Sequence, residues 1–193
     1  MSRIPYIGRE SLTEAQQRLF ENITGGKRGK GHPLETFLTP EGGLRGPFNA
    51  LLYSPTIGDA AQRLGETVRF ESSLSPRLRE LAILTVVVYW NAQYAVCAHE
   101  RIARREGLDE HLIESFKAGV RPDFENPTDA LIYDFVREVI DRQRLSDRVY
   151  NEAVALLGEA GVVDLVILLG YYTTVSMILT VFEVPVPTGK SSP

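Results

Sequence analysis

"SPRLRELAILTVVVYWNAQYAVCAHERIARREGL", residues 75–108, decides how this chain is read. Its first half is almost wholly apolar over 81–90 and contains the β-branched run Thr85, Val86, Val87, Val88. Taken alone, such a run suits a buried strand. The residues before it argue for a helix instead. Ser75 is placed to cap one, Pro76 stands at the first helical position, and RLRELAIL is rich in helix formers. The stretch therefore predicts a buried helix, a bend near 90–92, and a second helix over about 93–105, with Gly107 placed like a C-terminal cap.

The rest of the chain repeats this punctuation. Thr13 and Gln16 have capping-box spacing, which predicts a helix over 14–22. "GGKRGKGHPLETFLTPEGGLRG", residues 25–46, has no sustained period and predicts a solvated or lid-like loop. It lacks the spacing of a phosphate-binding loop, and no strand precedes it. A short helix carrying Phe48, Leu51 and Leu52 follows Pro47, and Ser54–Pro55 opens the next. Further helices are expected over 109–118, stopped by Gly119 and Pro122, and over 128–142 and 146–157. The last runs over 162–182 and stops before Pro185 and Pro187. No alternating strand pattern competes. The expected fold is all-α, about eight helices in one domain over 1–193, with an N-terminal helix and loop (1–46) and a core (47–187).

The chain has 193 residues, 44% hydrophobic and 24% charged, which allows a sizeable core. A net charge of −4 argues against nucleic acid, since phosphate binding needs a basic surface. One cysteine permits no internal disulfide, and the N-terminus MSRIPYIGRE lacks the apolar core of a secretory signal, so a cytoplasmic location is expected. The apolar segment 162–184 is long enough to span a bilayer but holds Asp164, Thr173, Thr174, Ser176 and Glu183. It reads as a core or subunit-interface helix and predicts a homo-oligomer rather than a membrane protein.

Cys97 and His99 invite a thiol reading. On one helix, residues two apart point about 200° apart, so this His does not readily activate that thiol. Free cysteine is also among the most buried residue types, and Cys97 is read as structural. Glu80 stands at the edge of the apolar segment, where a carboxylate needs a partner. Arg69, Arg77 and Arg79 are nearby candidates. His99, on the next helix, is the one that would make a proton-transfer pair. Three scattered histidines and one cysteine give no metal-ligand spacing.

The segment "SLSPRLRELAILTVVVYWNAQYAVCAHERIARREGLDEHLIESFKAG", residues 73–119, resembles the core of the carboxymuconolactone decarboxylase family, which includes the alkyl hydroperoxidase D proteins. The likeness continues more loosely through GPFNALLYSP before it and GVVDLVILLGYYTTVSMILTVFEVP after it. It implies an AhpD-like helical fold, assembled as dimers, trimers or hexamers. By position, Glu80 matches the family's acid and His99 its histidine. The peroxidase branch has a CxxC ending four residues before that histidine; here those positions are Ala92 and Ala95, and Cys97 falls at neither. A dithiol cycle needs both thiols, so this chain departs from the peroxidase pattern. The decarboxylase branch has Q-Y-E-W-x-x-H. Gln93, Tyr94 and His99 fit it, whereas Ala95 and Val96 replace its Glu and Trp.

These readings converge on a lyase or isomerase that needs no cofactor and moves a proton on a small organic acid or lactone through His99 and Glu80. Arg45, Arg69 or Arg101 would hold a substrate carboxylate bidentately. Phe48, Trp90, Tyr94 and Tyr172 would line the pocket. Two alternatives stand beside this: a peroxidase using Cys97 alone with an external thiol, and a non-catalytic oligomeric binding protein.

Overall fold

The computed structural model describes residues 2–186. The chain divides into two compact units, one of residues up to Glu71 together with those from Met177 onward, the other Ser72–Ser176. Eight α-helices and a single isolated bridge, Leu38 with Leu44, are found among the described residues. The all-α expectation holds, and the boundary expected at Pro187 lies outside the described residues.

The first unit is built on α1 (Glu14–Gly25), α2 (Phe48–Leu52) and α3 (Pro55–Phe70). Thr13 and Gln16 form the full capping box at the start of α1. Ser54 occupies the N-cap of α3, but its side chain makes no cap bond there. Leu19, Phe20, Ile23, Leu44 and Leu52 make the core. The segment 25–46 departs from the expected solvated loop. It contains a 3₁₀ turn, Leu34–Phe37, and folds Leu34, Phe37 and Leu38 onto this core around a fully buried Leu44. Four apolar side chains brought together by one turn outweigh the glycines and lysines that dominate the segment's composition. Asn49, also buried, accepts from the Ile7 amide at 3.0 Å and donates to the Pro5 carbonyl at 2.9 Å, pinning the N-terminal segment.

The second unit is organised around α4 (Pro76–Tyr89), with α5 (Gln93–Arg105), α6 (Glu110–Lys117) and α7 (Pro127–Arg142) packed against it. Ser75 caps α4 by accepting from the Leu78 amide. Eight consecutive residues of α4, Glu80 to Val87, are buried, so this helix has no solvent face over two turns. The β-branched run is helical because the cap fixes the helix before it begins, and Thr85 returns its hydroxyl to the Leu81 carbonyl at 2.9 Å. α5 ends as expected: Gly107 has φ 82°, and the Leu108 amide reaches the Ala103 carbonyl at 2.9 Å. A bidentate ion pair between Arg77 on α4 and Asp129 on α7, with one arm at 2.7 Å, ties two of these helices.

The two helices expected over 146–157 and 162–182 are joined in α8 (Asp147–Val181), which breaks at Gly158. Gly158 has φ 70° and ψ 169°, a region open in practice to glycine alone. A Cβ added there would meet nothing within 4 Å, so a substitution tests the backbone and not packing. Gly158→Ala is expected to lower unfolding stability by about 1–3 kcal/mol, read from the denaturant midpoint. An unchanged midpoint would show that the chain relaxes to a helical angle at no cost.

Candidate active site

α4 and α5 form a tight helical hairpin. The Trp90, Asn91 and Ala92 amides bond back to the carbonyls of Val86, Val88 and Val87 at 3.1, 2.9 and 2.9 Å, and Asn91 takes a left-handed φ of 51°. With a rise of about 1.5 Å per residue, Glu80 and His99 then lie at similar heights above the bend, roughly 12–15 Å from it. The structure brings them together: His99 Nδ1 lies 2.7 Å from Glu80 Oε2. The two side chains are 8% and 1% exposed, so the contact is shielded from water. Glu80 takes this partner while Arg77 pairs with Asp129, which removes Arg77 as the competing partner.

A carboxylate on Nδ1 places the imidazole proton there and leaves Nε2 as the nitrogen that accepts a proton. Tyr172, on α8, sets its ring edge-on to His99 with centroids 5.0 Å apart, and Tyr171 in turn stands edge-on to Tyr172 at 5.3 Å. Carboxylate and aromatic together fix the ring's orientation. Such an arrangement suits proton transfer by a held imidazole, with the carboxylate stabilising the imidazolium that forms.

The other expected residues are dispersed. Tyr94, in the first turn of α5, and Trp90, at the bend, are half-buried, and Trp90 stands edge-on to Tyr89 at 6.0 Å. Arg101 is on the exposed side of α5. Arg45, Phe48 and Arg69 belong to the first unit. There Arg45 buries its Nε with no acceptor, the Phe48 ring lies under the Arg28 guanidinium at 4.9 Å, and Arg69 lies over Phe70 at 5.5 Å. Ala92 and Ala95, at the two peroxidase sulfur positions, are buried, and Cys97 is half-buried.

Among the described residues, one trio has the spacing of metal ligands: Glu100, Glu110 and Glu114 offer oxygens within 4.8 Å of one another. Two side-chain cations already occupy it. Arg104 bonds Glu110 at 2.6 Å and Glu100 at 2.5 Å, and Lys117 reaches Glu114 at 2.9 Å. Arg104 accordingly holds the Glu110 carboxyl below the usual carboxylate range. The sequence reading missed this network and the Arg77–Asp129 pair, because both join charged residues whose spacing carries no motif.

Residues 55–119, from α3 to just past α6, match the model of the Carboxymuconolactone decarboxylase family. No curated protein matches. Several solved structures share the fold. A protein of unknown function from Agrobacterium tumefaciens, named for antioxidant defence and AhpD, is 21% identical with a TM-score of 0.63, covering 73% of this chain and 97% of its own. The debrominase Bmp8 in its apo form is 10% identical with a TM-score of 0.69, over 95% and 91%. An uncharacterized peroxidase-related protein from Silicibacter sp. TM1040 is 13% identical with a TM-score of 0.69, over 97% and 92%. At these identities the likeness concerns the fold alone.

Proposed function

We propose that the chain is a thiol-independent lyase or isomerase, working without a cofactor on a small organic acid or lactone. The observation that carries this is the 2.7 Å contact between His99 and Glu80, buried and facing an aromatic ring. In an isomerisation, His99 Nε2 takes a proton from the carbon beside a carbonyl, the electron pair enters the enolate, and the imidazolium returns the proton to a neighbouring carbon. In a decarboxylation, His99 enters with Nε2 protonated by solvent, the C–C bond breaks, carbon dioxide leaves, the electron pair of the broken bond forms the enolate, and the imidazolium protonates the carbon and returns to neutral. Glu80 stabilises the imidazolium in both, and Arg101, on the same helix as His99, is the arginine of this unit expected to bind the substrate carboxylate. The test is solvent deuterium exchange into a panel of keto-acids and lactones, followed by NMR. Exchange or turnover that requires His99 supports the reading; none across the panel from wild-type protein sinks it.

A second reading draws on the structural relatives named for peroxidase and antioxidant roles. Cys97, half-buried, would attack a peroxide and an external thiol would resolve the sulfenic acid. Peroxide consumption lost in Cys97→Ala would favour it.

The working form is proposed to be a homo-oligomer in the cytoplasm. Val163, Val166, Ile167, Gly170 and Thr174 recur at helical spacing along α8 and are exposed, Val163 by 54% and Val166 by 49%. By length and composition alone α8 could also cross a membrane. Asp164, which accepts from the Ser73 amide and hydroxyl at 2.8 Å each, favours a protein-covered helix. Val166→Glu is expected to shift the sedimentation profile toward monomer. A wild-type monomer at all concentrations, or a chain that needs detergent to stay in solution, would contradict this.

A further inference from the structure

The first unit carries a cleft of about 630 Å³ where the end of α1 meets α3, lined by Glu21, Gln62, Glu66 and Glu71 among others. Its charge is unbalanced. The C-terminal end of a helix carries a partial negative charge, and α1 has no basic residue in its last turn to offset it. Glu66 is nonetheless pressed against that end. A Cβ at Gly26 would lie 2.5 Å from Glu66 Oε2, so the glycine is what admits the carboxylate, whose other oxygen accepts the Lys27 amide at 3.1 Å. Two cations stand at the cleft: Lys27 Nζ bonds its Glu71 at 2.7 Å, and Arg63, itself a lining residue, pairs with Asp59 at 3.2 Å, so neither is spent on Glu21 or Glu66. Glu21 receives only a neutral amide, Gln17 Nε2, at 2.7 Å.

Gln62 supplies an independent observation. It is 2% exposed, and its amide nitrogen donates to Asp59 Oδ1 at 3.3 Å, which fixes which end of the amide is oxygen. That oxygen is buried with no hydrogen-bond donor. A buried acceptor left without a donor is uncommon and costly, and here it belongs to a residue of an acidic cleft. What Glu21, Glu66 and the Gln62 oxygen still call for is positive charge carried on N–H groups. Among the described residues its carboxylates do not converge within 4.8 Å as those of Glu100, Glu110 and Glu114 do. A single metal ion is therefore too small to satisfy them, whereas a chain of spaced ammonium groups reaches each in turn.

We propose that this cleft binds a linear aliphatic polyamine, one ammonium against Glu66 and the end of α1, another toward Glu21, with an N–H directed to Gln62 Oε1. The site is independent of His99. Titration calorimetry of the full chain with spermidine tests it. Saturable one-to-one binding is expected, weakened roughly tenfold or more in Glu66→Gln and Gln62→Leu, the usual loss for a hydrogen bond to a charged group. Glu21→Gln, on the helix surface, serves where Gln62→Leu fails to fold, and His99→Gln should bind as wild type does. No saturable binding would overturn the proposal. So would wild-type affinity in both Glu21→Gln and Glu66→Gln, which would mark diffuse attraction to an acidic protein, or stoichiometric competition by magnesium alone, which would mark a metal site.

Discussion

Replacing His99 by glutamine is expected to lower turnover by roughly 10²–10⁴-fold, the usual contribution of a general acid–base. That range corresponds to about 2.7–5.5 kcal/mol of barrier. Glutamine keeps a planar amide that still hydrogen-bonds Glu80, so the contact is kept while the proton carrier is lost. Cys97→Ala is the internal control and is expected to retain most activity. Glu80→Gln should fall between them, because it preserves size and removes only the charge that stabilises the imidazolium. Rates would be read as deuterium incorporation into the substrate identified from the panel, beside circular dichroism to confirm folding. Full activity in a folded His99→Gln would end the proton-transfer reading. Loss in Cys97→Ala would hand the site to the one-cysteine peroxidase.

The Arg77–Asp129 pair is expected to show the largest effect on stability. Its two members are not equivalent: the Asp129 side chain is 2% exposed and that of Arg77 28%. Arg77→Met strands a carboxylate away from water, which should lower stability by about 3–5 kcal/mol. Asp129→Asn leaves a guanidinium that still reaches solvent and bonds the Gly107 carbonyl at 3.1 Å, and about 1.5–3 kcal/mol is expected. Arg77→Met combined with Asp129→Leu should regain much of the loss, since two apolar side chains leave no charge to strand. Denaturant unfolding of the three variants checks the order. Equal losses for the two single variants would mean that the burial of the carboxylate is not the cause.

The legible part of this chain was its punctuation. Ser75 with Pro76, Thr13 with Gln16, and Gly107 are local devices whose effect ends within a turn, so sequence alone placed the helices they bound. The Glu80–His99 contact was legible too, because an acid inside an apolar helix needs a partner and the next helix offered one. The compaction of 25–46 was not. It depends on Leu44 being met by α1 and α2, a contact that no short window displays. The cleft beside α1 was hidden for a related reason: Glu21, Gln62 and Glu66 are ordinary surface residues in sequence, and only the fold sets them around one space.

The bend at Asn91 has a consequence for how the chain comes to work. Glu80 and His99 are 19 positions apart, and closing a loop that short carries an entropic penalty of about 2.6 kcal/mol beyond the constant term. The dyad is thus a property of one contiguous hairpin, with Tyr172 arriving from far downstream to lean on a ring already held. A circularly permuted chain, re-cut anywhere outside residues 75–108, should still bring carboxylate and imidazole face to face. The termini could be moved for engineering without touching the contact on which the proposed chemistry rests.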